Sequence, residues 1–274
     1  NDQKAILSKN AAVQVEALSK LGWYGLLRPN HLHPPFNHPK ARQALAMMID
    51  QQEYMQAAFG GGETCFSFFT CGSPNGISLG AEPYMKPNYE KAKQLLKEAG
   101  YDGTPVVLMR PTDLAAIAKL PLVAKQQLEA AGFKVDMQQM DWATLVARRA
   151  KKDAPTQGGW NAFMTAWTAG DILNPLTMAM MNAAGDKGWF GWQDDPTLQD
   201  LKVKFAKAGS EAEKKQLAEQ AQLRAFETVT HVPVGQYNQP AAVRQGITGL
   251  VPAGDRKSTR LNSSHVALSR MPPS

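Results

Sequence analysis

The chain is expected to fold as an α/β domain with a largely parallel or mixed sheet. Three observations carry that expectation. Short apolar or alternating runs recur at residues 106–109, 133–137 and 160–167. Between them lie stretches of helical periodicity closed by glycine. The 274 residues, 43% hydrophobic and 20% charged, are enough to bury a sizeable core.

Taken in order, residues 12–18 alternate like a strand, with nothing before them to pair against. A proline-rich stretch at 29–39 cannot be helix interior, because proline lacks the donor and restricts its neighbour. One helix is expected over 40–59, with Ala41, Ala44, Leu45, Met48 and Ile49 on one face and Gly60 as its stop. Residues 65–87, rich in Gly, Pro, Ser and aromatics, read as an ordered loop. A second helix spans 88–99, with Ala92, Leu95 and Leu96 inward and Gly100 at its end. A helix over 114–131 carries Pro121, which kinks or splits it. Asp141 caps a helix over 141–150. Asn174-Pro175 marks another helix start, and two further helices cover 196–208 and 210–229, with Ser210 and Glu213 spaced as a capping box. Residues 228–236 and 241–246 are expected as closing strands. In such sheets ligands bind at the carboxyl ends of strands, so the loops after Met109 and Trp167 are where a site is sought.

The net charge of +6 invites a nucleic-acid reading, but half of it comes from Arg256, Lys257, Arg260 and Arg270 against Asp255. Residues 255–265 read as a sequencing-library adapter translated in frame, and 266–272 as its index and distal arm. A natural disordered tail is the alternative. Without 255–274 the remaining charge is too small to argue for a polyanion, and no nucleic-acid partner is expected. No apolar run approaches the roughly 20 residues that span a bilayer. Residues 1–4 show no initiator Met or leader pattern, and the chain reads as a fragment of a longer protein.

There is no Gly-rich phosphate loop with a following Lys, no His-Glu-x-x-His and no Gly-x-Ser-x-Gly, so no catalytic residue and no cofactor are expected. His31 and His33 form a His-x-His that could in principle bind a metal. Without a nearby thiolate or carboxylate cluster, a solvent-facing or hinge role fits better, and no metal site is expected. Cys65 and Cys71 suit neither a zinc knuckle nor a Cys-x-x-Cys pair. They are either a loop-stapling disulfide of an oxidising compartment or two reduced buried thiols. Trp142, Arg149, Trp160, Trp167 and Asp171 form the most informative constellation. Each Trp could be core or pocket wall. Asp171, in a turn at a strand end, could fix an ammonium group or make a cap or Asx turn.

The passage Pro34-Pro-Phe-Asn-His-Pro-Lys-Ala-Arg-Gln-Ala-Leu-Ala-Met-Met-Ile-Asp50 resembles the signature of family 5 extracellular solute-binding proteins, the dipeptide, oligopeptide and nickel class of periplasmic binding proteins. Further elements agree in order: Tyr89 to Gly100, Leu128 to Val135, Trp142, then Trp167, Asp171 and Pro175. The likeness covers residues 13–251. It implies a type II periplasmic-binding-protein fold of two lobes that close on a ligand by a hinge. By that likeness residues 1–27 are a crossover region of a first lobe that is largely missing. Residues 28–226 are the second lobe, 227–254 return strands, and 255–274 the adapter-derived tail. It further implies that Asp171 pairs with a peptide's α-ammonium, that Trp142 and Arg149 approach the peptide, and that Trp167 walls the pocket. Met164 stands where some oligopeptide binders carry an Arg, and Met109, Met164 and Arg110 would set ligand choice. The implied partners are a peptide or peptide-like solute and the permease subunits of an ABC importer. The protein would be monomeric and periplasmic or lipid-anchored outside the cytoplasm. Alternatives are a nickel chelate, glutathione, a sugar or heme in the same family, or an α/β hydrolase with a nucleophile beside a His.

Overall fold

In the computed structural model, residues 6–17, 19, 21–115 and 117–247 are described. The expected tail at 255–274 lies outside them, as do residues 248–254. Two sheets are present among the described residues. A two-stranded antiparallel ribbon pairs β1 (Val13–Ala17) with β7 (Pro240–Arg244). The first strand thus finds its partner at the far end of the chain, not before it.

The five-stranded sheet runs β4 (Val135–Met140), β3 (Val106–Pro111), β5 (Ala162–Thr168), β2 (Trp23–Pro29), β6 (Val232–Tyr237). β3 is parallel to both β4 and β5, while β2 is antiparallel to β5 and β6. The sheet is thus mixed. It takes in strands from both sides of the boundaries expected at residues 27 and 227, leaving only β1 and β7 outside it.

Period-two alternation sends neighbouring residues to opposite faces. Leu27, Leu108 and Met164 join one core with Ala44, Leu45, Leu96, Leu120 and Leu128. That core is covered by α1 (Pro39–Met48), α3 (Tyr89–Glu98) and α4 (Leu120–Ala130). Leu26 faces the other way, into a core with Phe68, Phe69, Leu198 and Phe226 from the 65–87 loop, α6 (Pro196–Lys207) and α7 (Glu211–Thr228). Val107, Met109 and Phe163 share that face in a third, aromatic cluster.

Cap chemistry decides where several helices begin. The helix expected over 40–59 breaks, because Ile49 is extended and the Asp50 carboxylate accepts from the N–H groups of Gln52 and Glu53. That cap starts α2 (Gln51–Tyr54), which runs on into a π-helical turn, Met55–Phe59. Pro121 neither kinks nor splits a helix over 114–131; it sits in the first turn of α4, where its missing N–H costs nothing. Asn174 starts no α-helix. Its side chain accepts from Leu176 and Thr177 N–H in an isolated turn. Ser210 does cap α7, accepting from Glu213 N, while the Glu213 carboxylate reaches back to Gly209 N.

The loop at 65–87 is ordered by polar anchors. Gln222 of α7 accepts from Ser67 Oγ and donates to the carbonyls of Ile77 and Leu79. Tyr24 Oη donates to Ser67 O. Cys65 and Cys71 are joined as a disulfide.

Candidate ligand-binding site

Because β3, β4 and β5 run parallel, their carboxyl ends reach one edge of the sheet. Thr112 N donates to Met140 O at 2.9 Å and holds the first two of these ends together. The turn after β4 starts α5 (Trp142–Arg148). Asp141 caps it by accepting from Thr144 N at 2.9 Å, and Asp113 accepts from Trp142 N at 2.7 Å. These two carboxylates fix Trp142 in the first turn, half-buried between the main core and the aromatic cluster.

Arg149 closes the same helix. Its guanidinium carbon lies 4.6 Å from the Phe190 ring centre and 5.8 Å from that of Trp189. Partial burial lowers its pKa from the usual value, yet a guanidinium stays charged at neutral pH. Its Nε is buried without a partner among the described residues.

Trp167, near the end of β5, is half-buried, with its ring edge-on to Trp189 at 6.0 Å. Beyond it comes the 3-10 turn Ala169–Asp171. Thr70 Oγ1 donates to Ala169 O, and Ala169 N donates to Gly22 O at 2.9 Å, so the turn is tied to two other segments. Asp171 is exposed, and its carboxylate accepts from Thr168 Oγ1.

Trp142 thus follows the carboxyl end of β4, and Trp167 and Asp171 lie at that of β5, while Arg149, at the other end of α5, meets the same Trp189 ring that Trp167 meets. Two more expected residues are placed differently. Met109 and Met164 are fully buried, on opposite faces of the sheet, and offer a ligand no surface. Both lie within a strand. Arg110 sits at the strand end but turns to the rim, donating to Ala118 O and Gln139 Oε1. Trp160 is core: fully buried, packed on Phe163 at 5.0 Å, with its indole N–H donated to Arg149 O.

Sequence reasoning missed Trp189 and Phe190. They lie in an irregular segment without periodicity, and the aromatic density of Gly188-Trp-Phe-Gly-Trp192 was the one signal for them. Among the described residues no group of three or more His, Cys, Asp or Glu could hold a metal ion. The ring of His33 bonds to Lys152 O. Thr230 and His231 form a hydroxyl–imidazole contact, but both are fully buried.

A sequence model described as the middle part of the family 5 bacterial extracellular solute-binding proteins matches residues 1–189. The chain belongs to that family. Over 259 residues it is 34% identical to the "probable peptide ABC transporter periplasmic-binding protein y4tO" of Sinorhizobium fredii, covering 92% of this chain and 48% of that protein. Over 171 residues it is 30% identical to the glutathione-binding protein GsiB of Salmonella choleraesuis, covering 61% of this chain and 32% of that one. The periplasmic binding protein DppA of Helicobacter pylori, solved with the peptide STSA, superposes with a TM-score of 0.78 at 19% identity, over 94% of this chain and 49% of that one. The fold of this family 5 chain is that of the type II periplasmic binding proteins. It spans about half the length of the relatives that match most of it. No helix among its described residues is long and apolar enough to cross a membrane.

Proposed function

We propose that this chain supplies one wall of a receptor that captures a peptide or peptide-like solute outside the cytoplasm and presents it to the permease of an ABC importer. The observation that carries this reading is the aromatic cluster described above: half-buried Trp142, Trp167, Trp189 and Phe190, with Arg149 against the last two and the exposed Asp171 carboxylate in the turn after Trp167. Aromatic faces accept varied side chains, whereas a lone carboxylate selects an ammonium group by a charge-assisted hydrogen bond. Capture in a two-lobe receptor is a shift of population toward the closed form, with no bond made or broken. The disulfide at Cys65–Cys71 fits an oxidising compartment.

Calorimetry of the full-length protein with trialanine tests this. Asp171→Ala is expected to weaken binding at least tenfold, and N-acetylation of the peptide to weaken it equally in the wild type. Unchanged affinity in the folded variant would remove Asp171 from the reading. Glutathione is the second reading, favoured by the likeness to a glutathione-binding protein. A thermal-shift comparison of trialanine with glutathione separates the two.

A further inference from the structure

The wall owes its shape to a residue that no ligand can touch. Arg28, on β2, is fully buried, and no acidic side chain pairs with it among the described residues. Burying a guanidinium away from water is costly unless its donors are satisfied. Here backbone carbonyls satisfy them. Nε donates to Phe190 O at 2.7 Å, Nη1 to Met180 O at 3.1 Å and to Thr230 O, and Nη2 reaches Trp189 O at 3.5 Å. The guanidinium carbon also stands 5.3 Å from the Trp189 ring centre. Burial, with Arg42 nearby, lowers its pKa to about 9, so it remains a cation at neutral pH.

Two of those carbonyls, Trp189 O and Phe190 O, belong to the segment whose side chains form the wall. Trp189 and Phe190 sit in no regular element, so no helix or strand ladder sets the angle of their rings. A fixed, planar fork of donors does that instead. Gly191 makes the approach possible. It adopts φ +104°, and a Cβ there would lie 2.6 Å from Arg28 Nε and 2.7 Å from Pro29 O. Only glycine allows this turn to close over the guanidinium.

The geometry points to Arg28 as a positioning residue that holds the Trp189–Phe190 turn in its ligand-ready place, resting on the reading of that wall as a binding surface. The competing account is a core residue that stabilises the fold without shaping the wall. The two differ in what a folded variant does. Arg28→Lys keeps the charge but loses the fork. Gly191→Ala leaves Arg28 intact and pushes the turn off it.

Two measurements on the full-length protein decide between them. In the first, acrylamide quenching of Trp189 is read as the difference between proteins with and without Trp189→Phe. In the second, calorimetry with trialanine compares each variant alone and in a Trp189→Ala background. Variants that melt cooperatively are expected to show Trp189 quenched at least twice as readily. They are expected to bind trialanine about tenfold more weakly, with little further loss once Trp189 is absent. Unchanged quenching overturns the proposal, and so does an equal loss of affinity in both backgrounds. If the wild type binds no trialanine, the peptide reading fails while the quenching result still decides the role of Arg28.

Discussion

The guanidinium of Arg149 lies over the face of the Phe190 ring, 4.6 Å from its centre, although the two residues belong to segments with no common element. A cation over an aromatic face is worth about 0.5–1 kcal/mol when exposed and about 2 kcal/mol when desolvated. The half-buried Arg149 falls between these cases. Its contact also keeps a positive charge on an otherwise apolar wall.

Arg149→Gln is therefore expected to lower stability in urea by about 1 kcal/mol. It should also weaken trialanine more than trialanine amide, since only the former offers a carboxylate. Equal weakening of both peptides would show that Arg149 serves packing alone.

Asp195 combines two roles at one buried carboxylate. It caps α6 by accepting from Leu198 N and receives Arg224 through Nε at 2.8 Å and Nη2 at 3.2 Å. Asp195→Ala removes the cap and leaves Arg224 without its main partner. The expected loss is about 2–4 kcal/mol. Asp195→Asn retains an acceptor for the cap and should lose less. Chemical denaturation of both variants measures the difference, and identical midpoints would deny the ion pair any share.

What could be read from the sequence was what local chemistry decides. Ser210 and Asp141 announced their helices because a cap acts within three residues. Asp50 was just as visible, but unbroken helical periodicity around it hid the cap that splits the segment. Trp167 and Asp171 stood out because they follow a strand. Trp189 and Phe190 did not, because their place depends on Arg28, more than a hundred residues earlier, and on carbonyls that have no sequence signature. Met109 and Met164 lie in strands, as their runs announced, but their burial depends on what packs against each face of the sheet.

The disulfide at Cys65–Cys71 closes a short loop, sequence separation 6, whose residues Phe68 and Phe69 are buried in the core. Restricting so short a loop in the unfolded chain stabilises by about 2–3 kcal/mol in the chain-entropy view. Paired Cys65→Ala and Cys71→Ala substitutions, or mild reduction, should lower stability by that amount. They should loosen the loop that Gln222 anchors before the sheet opens. Hydrogen exchange at residues 65–79 reads the order of events, and uniform loss of protection across the chain would contradict it.

His231 sets a pH limit on the fold. It is fully buried, its Nδ1 lies 2.9 Å from Thr230 Oγ1, and its ring meets Phe68 edge-on at 4.8 Å. Burial first, and the Arg28 charge second, hold its pKa well below the ordinary imidazole value. The unfolded chain, titrating near pH 6.5, then binds the proton that the folded chain refuses. Stability is complete above about pH 6.5 and falls as the pH drops below it, by up to about 1.4 kcal/mol per pH unit for one such group. His31, held down by desolvation and by Arg42 and Arg28, adds a slope of the same sign. The carboxylates held low, Glu98, Asp102, Asp141 and Asp186, give up their contribution only in more acid solution, as pH falls through their own range. Between pH 6.5 and 5 the histidines therefore dominate the slope. His231→Gln is expected to flatten the decline in urea stability over that window, the remainder belonging to His31. A slope unchanged by the substitution would show that His231 takes up its proton in the folded state.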